Sequence, residues 1–370
     1  MKRILFYSEG WGLGGIETFI MNTIRELPRE QFQCDVFCTH DWSDAHDEEL
    51  TSLGVHRYCV FSGHKPNQLK RLLSSSQEFR KLLRKKRYDV VHICTMNGMG
   101  FLYSQIARQE HVPTRVVHSH SSAFGEGHQM VKRVFHNLGK CLWKKSATVL
   151  IACSEDAGKY LFDNTDFILL PNGIDTRKYR FSLRQRESLR NKLSIPSNAL
   201  LFGAVGRIAD VKQPFFQVDL LCSLRAAGIP AYLLLVGDGP LSGKVSNYAK
   251  EKKVADFLRL PGATSDPSSD YSALDVFTMP SLFEGLPMVL IEAASSGLPC
   301  LISKNVPEIP FPLEQVHRVE GSNADFWTHE IREVERKTKL ENRAEAFREV
   351  QNAGYAVSTM AQTLVDIYQH

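Results

Sequence analysis

Short β-branched apolar runs alternate with amphipathic stretches along the whole of this 370-residue chain, and the alternation stops once and starts again. In the first half, strand-like runs fall at 3–8, 32–39, 55–60, 88–93, 114–119, 147–152 and 166–170. Helical patterns fill 15–27, 66–86, 98–110, 128–145 and 154–163. Strands separated by helices predict an α/β fold with a parallel sheet covered on both faces. At "LLPNGIDTRKYRF" the turn residues Pro171, Asn172 and Gly173 interrupt the pattern, and the charged stretch after them reads as a linker. The pattern then resumes with "ALLFGAVGR", "AYLLLVGDG", "DFLRLPGA", "LDVFTMPS" and "PCLIS", separated by helical stretches at about 211–228, 240–252 and 285–296. A chain of this length exceeds one ordinary core, so two doubly wound domains are expected, 1–175 and 176–354. A last helix near 355–370 could pack on either one. Ligands in such sheets sit beyond the carboxyl ends of the strands, and a cleft between the two domains is the expected binding site.

Composition excludes some alternatives. No apolar stretch reaches the ~18–20 residues of a membrane span, and the chain opens directly on a strand pattern rather than a secretory sequence. Eight cysteines are scattered singly, without the paired spacing of a zinc site or a disulfide framework, which predicts a reduced, cytoplasmic protein with no metal. The net charge of +4 is unevenly spread: residues 65–87 hold nine Lys/Arg against Glu78 alone, and 128–145 hold five against no acid. The second stretch also carries Val131, Val134, Phe135, Leu138, Leu142 and Trp143. That is the pattern of a basic amphipathic helix, either a solvated face or a dock for an anionic membrane surface or acceptor. Nothing like a groove-reading element accompanies the charge, so no nucleic acid is expected.

Gly10, Gly12 and Gly15 after the first strand match a dinucleotide-binding fingerprint by spacing. A nicotinamide or flavin reading also needs an acid at the end of the second strand, about 20 residues on, to hold a ribose. Asp35 has the spacing but sits inside "QCDVFC". Two later features remain unexplained by that reading. In "MPSLFEGLPMVLIEAASSGLPC", Glu284 and Glu292 flank a turn that opens a helix, where free amides favour a phosphate and two carboxylates can accept from polyols. In "GAVGRIADVKQ", Arg207 and Lys212 straddle a strand-to-helix turn and can clamp a diphosphate. Each alone also reads as surface charge.

Together, Arg207, Lys212, the turn after "LLLVGDGP" and Glu284-x7-Glu292 resemble the retaining glycosyltransferases of family 4, which have the GT-B fold. Gly14-Gly15-Ile16-Glu17 looks like that family's GGxE loop, "PTRVVHSHSS" like its strand ending in a histidine, and "LLPNGID" like its hinge-proximal turn. The likeness spans nearly the whole chain and is greatest for bacterial exopolysaccharide and capsule transferases. It implies a nucleotide-sugar donor, with Glu292 on the ribose hydroxyls and Leu260 and Pro261 as the edge under the base. Arg207, Lys212 and the amides of Leu286, Met288 and Val289 would hold the diphosphate, with Gly285 in the same turn. Glu284 would contact the transferred sugar and His120, rather than His118, would lie near it. Gly15 would let backbone approach the donor, and Gly14 and Glu17 would face the acceptor.

The resemblance implies no cofactor and no metal, because the two cations would stabilise the departing diphosphate, and no D-x-D pattern stands at a strand end. It implies transfer of a hexose or N-acetylhexosamine, from a UDP-sugar, to a saccharide or polyprenyl-linked acceptor. The enzyme would work in the cytoplasm, peripheral to the inner face of the cell membrane. An NAD(P)-dependent oxidoreductase and a non-catalytic nucleotide- or glycan-binding homologue are the rival readings.

Overall fold

The computed structural model describes residues 1–12, 14–123, 129–264, 266–284 and 287–369. Among them, thirteen strands form two sheets. The first contains β1 (Lys2–Trp11), β2 (Phe32–Asp41), β3 (His56–Phe61), β4 (Val90–Thr95), β5 (Thr114–Ser119), β6 (Val149–Ala152) and β7 (Ile168–Leu169), in the order β3-β2-β1-β4-β5-β6-β7. The second contains β8 (Leu200–Val205), β9 (Ala231–Val236), β10 (Leu258–Gly262), β11 (Val276–Met279), β12 (Cys300–Ser303) and β13 (Val316–Val319), in the order β10-β9-β8-β11-β12-β13. Neighbouring strands pair in parallel throughout both sheets. In each sheet the chain winds outward on one side of the first strand, then returns to its other side. That reversal leaves a crevice beyond the carboxyl ends, at β1/β4 in one sheet and β8/β11 in the other.

The twofold strand period sends neighbours to opposite faces. On β1, Phe6 meets His92, while Tyr7 meets Phe79 and Tyr103. Both faces are therefore apolar and both are covered, which is why the strands read as continuous apolar runs.

The chain divides into two compact units, Met1–Gly173 with Val357–His370, and Ile174–Ala356. The helix Val357–Gln369 closes the first, where Met360, Leu364 and Tyr368 join the core against Phe6, Phe19 and Ile20. Lys2 Nζ donates to the carbonyls of Tyr368 and Gln369 at 2.7 and 2.8 Å, a cation at a helix C-terminus.

The reading of the stretch after Gly173 as a linker is corrected. Leu183–Lys192 is a helix built into the second unit. Its Arg186 and Arg190 are buried, both paired with Asp275 at 2.5 and 3.1 Å, and both donate to the carbonyl of Ala273. This helix docks through guanidinium groups on the carbonyl end of the Ser268–Ala273 helix, so its sequence has no apolar stripe to find.

Candidate active site

In the second unit the crevice at β8/β11 gathers the charged residues. Beyond Val205 the chain passes through Arg207 into a 3₁₀ turn, Asp210–Lys212, before the helix Pro214–Ala226. The backbone amide of Leu282 donates to the carbonyl of Val211 at 2.8 Å, tying the segment after β11 to this turn. The tie brings Lys212 Nζ within 2.5 Å of Glu284 Oε1, with both side chains mostly covered. Arg207 is exposed and has no ion-pair partner among the described residues. The site therefore holds one neutralised cation and one free one. A small cavity of about 30 Å³ lies under them, lined by Arg207, Lys212, Gln217 and Thr278, with room for about a water.

Gly285 and Leu286 lie outside the described residues. The helix after them runs Met288–Ser295, with Pro287 at the N-cap. No side chain caps this end, and the amide of Leu290 is used by the carbonyl of Pro287. Met288 and Val289 thus carry the leading amides at the positive end of the helix.

One turn in, Glu292 accepts from the hydroxyl of Tyr271 at 2.7 Å and is also held by that of Tyr179. Burial raises its pKa, and the two hydroxyls pull it back down. Arg343, fully buried, fixes the frame behind this contact. Its guanidinium donates to the carbonyls of Tyr271, Leu274 and Ser296 at 2.9, 2.8 and 3.0 Å, the C-terminal ends of the helices that carry Tyr271 and Glu292. Neither tyrosine nor Arg343 was found by sequence reasoning. Each lies in an unremarkable polar segment, and only the tertiary contact marks it. Leu260 is half-buried and Pro261 exposed on β10, the edge strand, where an imide without N–H is tolerated.

In the first unit, Gly14 is the N-cap of the helix Gly15–Glu26. Glu17, at the third position, is buried and folds back so that its carboxylate accepts from the Gly14 amide, as in a capping box. A Cβ on Gly14 would lie 2.4 Å from Glu17 Oε2, so the side chain occupies the space a larger residue would need. Burial raises the Glu17 pKa against these hydrogen bonds. A Cβ on Gly15 would meet open space, so nothing within the described chain demands a glycine there.

Near Phe19 three imidazoles stack. His92 bonds Tyr368 Oη at 2.5 Å and His118 Nδ1 at 3.2 Å, and the rings of His118 and His120 lie 4.0 Å apart. The ligand atoms of His92, Cys94 and His118 fall within 4.8 Å of one another, yet both nitrogens of His92 are already used by these bonds. Burial lowers the pKa of His120 to about 3, so the ring is neutral, with Asn172 beside it. Asp35, the acid a dinucleotide site would need, is buried and accepts from Tyr88 at 2.6 Å and Lys86 at 3.1 Å. Both bonds fall on Oδ2, and the residue is only 1% exposed, so burial keeps its other oxygen from a ribose.

Comparison with known proteins identifies the family of the chain. The "Glycosyltransferase Family 4" model matches residues 13–178, and "Glycosyl transferases group 1" matches 185–347. A putative glycosyltransferase of Bacillus subtilis, EpsF, is 34% identical over 83% of this chain and 80% of its own. An Escherichia coli UDP-Gal:alpha-D-GlcNAc-diphosphoundecaprenol alpha-1,3-galactosyltransferase is 27% identical over 79% of this chain and 76% of its own. Among solved structures, Anabaena HepE in complex with UDP superposes with a TM-score of 0.80 at 16% identity, covering 100% of both chains. The lipopolysaccharide-biosynthesis glycosyltransferase WaaG superposes with a TM-score of 0.69 at 18% identity, covering 99% of both. With cations and a bare helix end at one crevice and neutral histidines at the other, the chain belongs to the family 4, group 1 glycosyltransferases and is an enzyme of GT-B fold.

Proposed function

We propose that this enzyme is a retaining transferase that moves a hexose or N-acetylhexosamine from a UDP-sugar to a lipid-linked saccharide in surface polysaccharide biosynthesis. The observations that carry the proposal are Arg207 and Lys212 at the β8/β11 crevice, the latter paired with Glu284, and the uncapped Met288 helix end that follows Glu284 in the chain, with Glu292 one turn into that helix. In this reading the diphosphate lies at the helix end, and Glu292 accepts from the ribose hydroxyls while the two tyrosines hold its carboxylate in place. Lys212 exchanges Glu284 for a phosphate oxygen, which releases Glu284 to accept from sugar hydroxyls. As the anomeric C–O bond breaks, Arg207 and Lys212 stabilise the charge that grows on the departing phosphate. The acceptor oxygen attacks from the same face, and the leaving phosphate takes its proton. His120, neutral, serves the sugar as a hydrogen-bonding group. The two cations supply the charge stabilisation a divalent metal would otherwise give.

The relatives support the choice of donor and acceptor: the galactosyltransferase above is named for a UDP-sugar and a diphosphoundecaprenol acceptor, a further relative for capsular polysaccharide, and the HepE structure holds UDP. A membrane-borne acceptor also fits the helix Gln129–Trp143. Met130, Val134, Leu138 and Leu142 recur every fourth residue and are 83, 64, 44 and 56% exposed, with Arg133 and Lys145 alongside. Such a face suits an anionic bilayer. Residues 65–87 suit it less, because Arg71, Arg80, Lys81, Arg84 and Lys86 are all paired with acids. No helix among the described residues is long and apolar enough to cross a membrane.

Thermal-shift screening of nucleotide sugars tests the donor, and the anomeric configuration of the product, read by NMR, tests retention. Stabilisation by a UDP-sugar and a product of unchanged configuration are expected. Stabilisation by NAD(P) alone, or an inverted product, would remove the reading. Binding to vesicles that rises with anionic lipid and falls in Met130→Ser/Val134→Ser tests the membrane face.

A further inference from the structure

The first unit has a second polar feature at the carboxyl ends of its strands, apart from the histidines. Glu9 near the end of β1, Thr39 near the end of β2 and Asn97 just after β4 meet Gln68 and Arg71 of the helix Gln68–Lys85 around a pocket of about 60 Å³. This is the β1/β4 reversal, where open parallel sheets bind ligands. Arg71 and Glu9 are paired at 2.8 Å, with side chains 13 and 31% exposed. The pair leaves the second carboxylate oxygen and further guanidinium N–H groups without partners among the described residues. The Thr39 hydroxyl donates to the carbonyl of Glu9 and so holds the acid in place. Tyr7 and Tyr103 form the apolar side, and Phe135, half-buried, reaches in from the helix Gln129–Trp143.

The position of Phe135 depends on a close approach. The Gly98 amide donates to His136 Nδ1 at 3.1 Å, and a Cβ on Gly98 or Gly139 would fall 2.1 or 2.2 Å from a facing carbonyl oxygen. Only glycines let the turn after β4 touch this helix. The same helix therefore walls the pocket with one side chain and presents its exposed apolar stripe elsewhere.

We infer that this pocket holds one edge of the acceptor's sugar, a neutral pyranose bearing adjacent hydroxyls, through Glu9, Arg71 and Gln68. The inference rests on the proposed saccharide acceptor. A carboxylate and a guanidinium locked together offer acceptor and donor atoms side by side with little net charge, which matches vicinal hydroxyls. A phosphate would have to displace Glu9 from Arg71 and then sit beside it. The pocket's size admits a ring edge and no more, so the rest of the acceptor stays outside it.

Saturation-transfer NMR on the full chain tests this, with methyl α-glucoside, methyl α-galactoside and methyl α-N-acetylglucosaminide as probes. At least one should bind the wild-type chain, with its apparent Kd about tenfold weaker in Glu9→Gln, which loses a charged acceptor. Gln68→Ala should weaken it a few-fold; that side chain is exposed and makes no hydrogen bond among the described residues, so the fold does not depend on it. No binding of any probe, unchanged affinity in both variants, or displacement of the probe by pyrophosphate would each overturn the inference. Calorimetry with UDP reports separately on the donor reading: a chain that binds a methyl glycoside but no UDP or UDP-sugar would contradict the donor and leave the pocket standing.

Discussion

The two units share a parallel sheet and a crevice at the strand reversal, yet they present opposite chemistry there. The second unit offers a free guanidinium, an ammonium held by a carboxylate and an uncapped helix end. The first offers desolvated groups: His120, neutral with its pKa pushed down to about 3, and Glu17, buried with its pKa raised by that burial. One fold can therefore be set for an anion or for uncharged hydroxyls by the few residues that follow its strands. The glycine-rich turn after β1 makes the same point. Its spacing fits a phosphate-binding turn, but Glu17 has filled the helix end that a phosphate would occupy.

The largest test of this contrast removes the cations. Arg207→Ala and Lys212→Ala should each lower kcat by about 10²–10³, measured with saturating donor. Lys212→Ala also leaves Glu284 unpaired, so Lys212→Ala/Glu284→Gln should recover part of the fold stability lost but none of the rate. Near-normal turnover in either single variant would break the comparison.

A smaller effect is expected at Glu292, the carboxylate proposed to hold the donor ribose. Tyr271→Phe removes a hydroxyl bonded to Glu292 and should raise the donor KM about tenfold with less change in kcat. The raised pKa of Glu292 gives this a pH dependence. The carboxylate holds its proton to higher pH than an ordinary Glu, so donor affinity should rise as pH rises through that value. Losing a lowering partner, the Tyr271→Phe variant should move that rise to higher pH still. An identical profile in the two proteins would sever Tyr271 from the donor site.

His120 sharpens the other side. With a pKa near 3 it stays neutral from pH 5 to 8, so His120→Ala should reduce kcat by about tenfold, the loss of a hydrogen bond, without altering the pH profile in that window. A limb near pH 6.5 that vanishes in the variant would show a titrating histidine instead.

The smallest effect concerns Glu17. Glu17→Gln keeps the bond to Gly14 and should be nearly neutral, whereas Glu17→Ala should cost about 1 kcal/mol in denaturant unfolding. Because burial raises its pKa in the folded chain, the native state holds more protons than the unfolded one just above the ordinary Glu value. The Glu17 contribution to stability therefore falls as pH rises through that window, and Glu17→Gln should abolish that slope.

Most of the α/β architecture was legible because strands buried on both faces announce themselves as apolar runs. Charge and glycine at their ends then marked Arg207, Lys212, Glu284 and Glu292. The helix Leu183–Lys192 was missed because it docks by arginines on backbone carbonyls, which no hydrophobic period encodes. Tyr179, Tyr271 and Arg343 escaped for a related reason. They act on Glu292 across 113, 21 and 51 residues of sequence, and nothing local distinguishes them from ordinary polar positions. The Glu9–Arg71 pair, joined across 62 residues, was equally silent.

The central claim, that the nucleotide is held by the second unit and not by the glycine turn of the first, is tested most directly by hydrogen–deuterium exchange with and without UDP. The account predicts the strongest protection at 205–213 and 287–293, with Tyr179 and its neighbours also slowed. Strongest protection at residues 10–17, with 205–213 and 287–293 unchanged, would contradict it.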